Sequence, residues 1–400
     1  HDGRFVFTGS IRNVYPFGSE GGVSMGEPKL RFKADDGSDF PDWEEMTLGE
    51  LFHISAGGDI DKNNCAAKQS KDYPYPVYAN ALVNNGTYGY ANYYKIDGDT
   101  FTVTGRGDVG HAVARHCMYV PIVRLLVCQP NMDDDVDFFA EQINYTRVFI
   151  ESTGVPQLTA PQLSKIKVKR PTLPEQRKIA DFLSAVDAVI AAQQAEVDAW
   201  EQRKKGVMQK LFSQEVRFKA DDGSEFPDWN ETRLNKLCEY GTNRGTGGNY
   251  VGTENMLKDF GGVAVENRES EGTGSLYGPG DTLMSNIRPY LKKVWTADCE
   301  GACSTDILVF HPTNVVPDFL HYVIASDSFV AYVMSAAKGS KMPRGDKAHI
   351  MQMPVFVPDK DDELKIADCL SSMDEVIQKS KDELAKWQEL KKGLLQQMFV

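Results

Sequence analysis

The 400-residue chain is 41% hydrophobic and 25% charged, a globular composition with room for two to three ordinary domains, which excludes a disordered or fibrous chain. No run nears the ~18 apolar residues of a membrane helix, and His1-Asp2-Gly3-Arg4 lacks the basic-then-apolar build of a secretory signal. A net charge of −13 lowers the expectation of nucleic-acid binding but does not exclude it, because an acidic molecule can carry one basic face.

Residues 1–30 read as an N-terminal leader: 1–24 are spotted with Gly and Ser and have no later counterpart, and Met25-Gly26-Glu27 looks like a natural start, so the leader is expected to be an artificial addition. Arg31 to Trp43 then reads RFKADDGSDFPDW, and Arg217 to Trp229 reads RFKADDGSEFPDW, differing at a single position. Gln176 to Leu183 recurs as Glu363 to Leu370, and the same spacing pairs Trp200 with Trp387 and Lys204 with Lys391. The chain is therefore a two-copy repeat: globular unit, helix, globular unit, helix.

The first globular stretch, 31–172, is expected to mix short strands with a few helices. Thr100 to Thr104 is strand-like, and Gly105-Arg106-Gly107-Asp108-Val109-Gly110 follows it as a formal dinucleotide fingerprint. That fingerprint needs a helix next, whereas His111 to Val120 is strand-like and Pro121 stops it, so a glycine-rich strand-to-loop transition is the better reading. Tyr73, Tyr75, Tyr78 and Tyr88 with Asn80, Asn84 and Asn85 suit either base-edge contacts or loop filling. Lys165, Lys167 and Lys169 alternate, so a strand there would put them on one face beside Arg170.

The spacer helix 173–215 opens on Thr172-Leu173-Pro174-Glu175, a capping box in which hydroxyl and carboxylate satisfy backbone amides reciprocally. From residue 174 to 212 it should extend ~58 Å. Ile179, Leu183, Val186, Ile190, Val197 and Trp200 fall at alternating spacings of four and three, the a/d seam of a coiled coil, interrupted by Gln193 and Lys204.

The second globular stretch, 216–358, aligns Asp281 to Arg288 with Asp99 to Arg106, placing Arg106 and Arg288 at one position where a strand enters a loop. Each is either a surface ion-pair partner or a contact for phosphate or guanine, which the planar guanidinium fork suits. Lys292 and Lys293 join the same candidate set. Ile307 to Phe310 is strand-like, and residues 317–337 look helical. Lys338, Lys341, Arg344 and Lys347 recur every third residue in a loop, as a solvated face or as the basic footprint of a DNA site in an otherwise acidic unit. The second spacer helix, 359–400, has Asp359 and Asp362 at its start, and its seam holds Ile366, Leu370, Met373, Ile377, Leu384 and Trp387, with Ser380 and Lys391 at the interruptions. Each seam needs a partner, and the other copy is the obvious one. The fold expected is α+β: two mixed globular units with two long helices packed as an antiparallel coiled coil.

Catalytic motifs are missing. There is no phosphate-binding P-loop, no His-Glu-x-x-His and no nucleophile elbow. Cys299 with Cys303, or His111 with His116 and Cys117, lack a second pair at zinc spacing, so no metal and no cofactor are expected. Pro358-Asp359 with Glu363-Leu364-Lys365 imitates a nuclease motif but sits where carboxylates cap a helix. Seven scattered cysteines, an odd number, point to free thiols in a reducing cytoplasm.

This organisation resembles the specificity subunit of type I restriction–modification systems, and Gly280-Asp281-Thr282-Leu283, Ile287-Arg288-Pro289-Tyr290-Leu291 and Leu173 to Ala180 add to the likeness. The resemblance covers nearly everything from residue 27 to 400 and departs at Asp361-Asp362-Glu363-Leu364, where Pro-Glu-Gln-Arg is expected. It implies two target recognition domains, each reading half of a split asymmetric site in double-stranded DNA. It also implies two modification (adenine methyltransferase) subunits on the helices, restriction subunits for cleavage, and no catalytic residue in this chain. Unequal loops, 338–347 against Glu151 to Ala160, would let the halves read different sequences. The competing readings are a non-DNA coiled-coil adaptor carrying two binding modules, and an enzyme with a site between units.

Overall fold

The computed structural model describes residues 28–146 and 157–399. The leader lies almost wholly outside them, as does most of the Glu151 to Ala160 segment. The chain divides into two compact units. The first ends at Ile190 and takes back the residues from Ala385 onward; the second runs from Ala191 to Leu384.

In the first unit a four-stranded antiparallel sheet runs in the order Phe52–Ala56, Leu126–Pro130, Thr100–Val103, Ala112–Arg115. Thr100–Val103 is buried along its whole length: Phe101 and Val103 face the core, and on the other face the Thr100 hydroxyl bonds Tyr119 at 2.8 Å and Thr102 Oγ1 accepts from Arg115 Nε at 3.1 Å. The helix Val136–Thr146 packs on this sheet, and Phe52, Phe101, Phe138 and Phe139 form the centre of the core. Their rings meet edge-on at 4.9–5.1 Å, the arrangement aromatic quadrupoles prefer. A second small sheet joins Cys65–Ala66, Thr87–Ala91, Tyr75–Tyr78 and Val120–Pro121. Glu44–Thr47 pairs with Lys167–Arg170, tying the start of the unit to the approach to the long helix.

The second unit has the same plan. Its four-stranded sheet runs Cys238–Tyr240, Ile307–Pro312, Thr282–Ser285, Val294–Thr296, and Asn230–Arg233 pairs with Pro354–Val357. Arg244–Tyr250, Glu269–Tyr277 and Gly301–Cys303 make its other sheet. The stretch 317–337, expected as one helix, is two: Pro317–Ile324 and Asp327–Ser335. Ser326 is the reason, since its hydroxyl accepts from the amide of Phe329 at 3.1 Å and starts a new helix.

The long helices are Leu173–Phe212 and Lys360–Met398, 40 and 39 residues. Within the first unit Ile179 and Leu183, near the start of one, share a core with Met398 and Phe399 at the end of the other. Within the second, Leu211 joins Ile366, Ala367 and Leu370. Start meets end in each unit, so the helices are antiparallel. Of the seam positions, Ile179, Leu183, Val186, Val197, Ile366, Leu370, Ile377 and Leu384 are buried, and Ile190, Trp200, Met373 and Trp387 are half-buried.

The expected capping box at Thr172 does not form. The Thr172 hydroxyl is buried without a partner, and the Glu175 carboxylate accepts instead from Arg31 Nε at 3.0 Å, Arg31 Nη2 at 2.8 Å and Trp43 Nε1 at 3.1 Å. A charge-assisted, two-pronged bond to a guanidinium outcompetes a single backbone amide. The thirteen-residue repeat is thus a clamp on the first turn of each long helix. Arg31 and Arg217 also donate to the carbonyls of Phe40 and Phe226, at 3.3 and 3.1 Å. Lys178 and Lys365 donate back to the carbonyls of Lys33 and Lys219, both at 2.8 Å.

Candidate nucleic-acid interface

Thr100–Val103 and Thr282–Ser285 hold the same place in matching sheets, and Arg106 and Arg288 each follow the end of that strand, with the strand registers shifted by one residue between the units. In the first unit the strand leaves through Gly105, where a Cβ would lie 2.8 Å from the Leu158 carbonyl oxygen, so only glycine fits. The Gly105 amide donates to Asn80 Oδ1 at 2.7 Å, and Arg106 follows, exposed and bridged to Gln157.

In the second unit Arg288 is half-buried with φ +52°, a left-handed conformation uncommon for a non-glycine residue, and its amide donates to the Pro343 carbonyl at 2.8 Å. That bond brings the basic loop onto it. Lys338 and Arg344 exchange both backbone hydrogen bonds at 2.9 Å, and Ile287 bridges to Arg344, so Arg288, Arg344 and Lys338 converge with Lys341 exposed at the hairpin tip. Arg344 meets Asp306 at 2.9 Å and Lys338 meets Asp346 at 2.8 Å. Lys338, with the amides of His349 and Ala348, holds the Asp346 carboxyl at about 2, so this pair stays ionised through the ordinary pH range.

Of the remaining candidates, Lys292 and Lys293 follow Arg288 across the short turn Pro289–Leu291 but turn their ammonium groups to other partners. Lys292 pairs with Asp327 at 2.7 Å, and Lys293, whose ammonium burial pushes below its usual range, donates to the Thr253 carbonyl at 2.7 Å. Lys165, Lys167 and Lys169 do not share one strand face: the strand begins at Lys167, and Lys165 sits in the turn before it. Lys167 and Lys169 converge on Glu45 of the neighbouring strand, at 2.7 and 3.7 Å, an arrangement that ties the paired strands together.

What sequence reasoning missed is the partnership of the seam lysines. Lys204 binds Asp374 at 2.6 Å and lies 4.9 Å from the centre of the Tyr322 ring, whose hydroxyl donates to the same carboxylate at 2.8 Å. Lys391 binds Asp187 at 2.8 Å and Glu141 at 3.2 Å. The repeat spacing maps Lys204 onto Lys391 and Asp187 onto Asp374, so inspecting that register for opposite charges would have found both pairs.

Two units of one plan, each presenting an arginine where the corresponding strand ends and each clamped to a long seam helix, define a two-module protein of duplicated α+β architecture. Residues 41–199 match the type I restriction modification DNA specificity domain. Over 360 residues the chain is 21% identical to the EcoDI type I specificity subunit of Escherichia coli, covering 79% of this chain and 78% of that one. It is 26% identical to a Mycoplasma pneumoniae protein assigned as type I specificity subunit S.MpnORF507P, across 37% of this chain and 42% of that protein. The chain thus spans less than half of that relative. The crystal structure of an S subunit from M. genitalium superposes with a TM-score of 0.61 at 14% identity, covering 94% of this chain and 99% of the other. The chain thus carries a stretch that matches the type I DNA specificity domain, and it is similar to type I specificity subunits over most of its length. Among the described residues, no helix is long and apolar enough to cross a membrane.

Proposed function

We propose that this chain is the sequence-specific DNA-recognition subunit of a type I restriction–modification complex, acting in the cytoplasm. Recognition domains 31–172 and 216–358 each read one half of a split, asymmetric double-stranded site. The helices within 173–215 and 359–400 set the spacing and carry two adenine methyltransferase subunits, with restriction subunits joining for cleavage. The chain itself supplies DNA contacts and no catalytic group. The observation that carries this reading is an arginine at the exit of the corresponding strand in each sheet, Arg106 in one unit and Arg288 in the other, the latter joined by the separate hairpin that carries Lys338, Lys341 and Arg344. Arginine at such an exit offers a bidentate fork to guanine, and lysine neutralises phosphate. The match to a DNA specificity domain disfavours an adaptor without DNA.

The test is an electrophoretic mobility shift of the chain with its methyltransferase subunits, followed by methylome sequencing after residues 216–358 are exchanged for a relative's. One half of the methylated site should change and the other persist. Loss of both halves in a folded, assembled complex would refute independent reading.

A further inference from the structure

Three loops of the first unit meet at one side chain. Asn80 accepts the Gly105 amide at 2.7 Å and donates to the Val123 carbonyl at 2.6 Å, joining the Arg106 loop to the turn at Val123-Arg124. Both turn residues are left-handed, with φ of +54° and +59°. For a β-branched valine that conformation is strained and persists only where the surroundings over-determine it. Here they do: the amides of Val123 and Arg124 donate to Gly58 and Gly57, at 2.9 and 3.0 Å.

The result is an exposed arginine on a rigid turn, its backbone against the Gly105 exit that delivers Arg106. Neither arginine forms an ion pair among the described residues. The third loop presents Leu82 and Val83, 45% and 77% exposed, just before Asn84 and Asn85, both left-handed. Its base is held from inside: buried Arg115 donates to the Asn85 carbonyl at 2.7 Å and to Thr102 Oγ1 at 3.1 Å, with its guanidinium 3.7 Å from the centre of the Tyr78 ring. Two free cations beside an uncovered apolar tip on a pre-organised scaffold suit a DNA groove, where phosphates, base edges and thymine methyls lie together. The corresponding turn of the second unit has Thr305-Asp306, with Asp306 bound to Arg344, so this cation belongs to one half only.

We propose that these loops form the reading head of the first recognition domain, with Arg124 contacting a base edge, Asn80 locking the loops in register and Leu82-Val83 packing in the groove. The assignment rests on the DNA-recognition reading above. Arg124→Asn suits the test because asparagine tolerates the left-handed backbone. In the full chain with its methyltransferase subunits, this variant should keep its melting temperature, bind the native site roughly tenfold or more weakly, and relax preference at one position of the first half-site. The second half should be read as before. Arg124→Lys, which lacks the planar fork, should recover affinity but not preference. Val83→Ser should weaken binding several-fold without moving the salt slope. Unchanged affinity and preference in Arg124→Asn, or a uniform loss across sequences with a shallower salt slope, would overturn the base contact. If the unmodified complex fails to discriminate between sequences, the DNA reading itself falls, and the two failures are distinguishable.

Discussion

The two units differ most where they meet solvent and least where they grip a helix. Clamp residues 31–43 and 217–229 are nearly identical, and each holds the first turn of a long helix through a tryptophan and a returning lysine, joined in the first copy by an arginine. The exit loops share only their place on the sheet: the first unit presents Arg106 on a glycine turn, the second Arg288 held against a separate hairpin of paired cations. Attachment to a helix fixes side-chain identity, whereas a loop need only be anchored at its base, so its tip is free to diverge.

Within the clamp one substitution divides the copies. Glu175 reaches both Arg31 and Trp43, whereas Asp362, one methylene shorter, takes only Trp229 Nε1 at 3.1 Å, and Arg217 turns to Asp228 at 3.3 Å. Removing Glu175, whose side chain is wholly buried, strands a guanidinium. Glu175→Ala should therefore cost about 3–5 kcal/mol, but Asp362→Ala only about 1–2 kcal/mol. Denaturant unfolding of both variants measures the difference, and equal losses would show that the clamps are energetically alike despite their geometry.

Acid should separate the units next. Burial, with Lys204 nearby, lowers His321 from 6.5 to about 4, and its Nδ1 is buried without a partner. The equivalent place in the first unit is Ala140, because Val316 and Asp135 both donate their amides to the first turn of a long helix, to Glu363 and Gln176. Below pH 6.5 the unfolded chain protonates this histidine and the folded one does not. Stability of the second unit should therefore fall by about 3 kcal/mol between pH 6.5 and 4, and level off below that. Calorimetry of His321→Ala across this range should show a flatter profile than the unmodified chain. An identical slope would assign the acid sensitivity to other groups.

The duplication, the Thr100–Val103 strand and both seams are legible in the sequence because each is a local pattern: period two, period three-and-a-half, or a repeat at fixed offset. The clamp's purpose is not, since Arg31 and Glu175 are 144 residues apart and no periodicity links them. The same limit hid the break at Ser326 inside an apolar run, and it made Lys204 and Lys391 look like defects. Their carboxylate partners tell the copies apart once more. Lys391 neutralises two acids, of which Glu141 is pushed up by burial against the pull of Lys391, while Lys204 has one acid and a tyrosine ring. Lys391→Met should cost about 2 kcal/mol and Lys204→Met about 1 kcal/mol, both partly solvated pairs. Reversal of that order in thermal unfolding would mean the ring, not the second acid, is the stronger partner.

The smallest effect tests the loops alone. Lys341 stands exposed at the tip of the hairpin whose two flanking cations already hold Asp306 and Asp346, and among the described residues it has no ion pair of its own. Lys341→Ala should leave unfolding unchanged, as an unpaired surface side chain does. If the tip lies against a phosphate, affinity should fall a few-fold and equally for every sequence, with the salt slope shallower by about 0.9. Arg344→Ala is the internal control, because it also releases Asp306 and should disturb the backbone pairing that carries Arg288. It should therefore alter sequence preference in the second half-site as well as affinity. A Lys341 variant that changes preference, or an Arg344 variant that changes only the salt slope, would reverse the roles of tip and base in this loop.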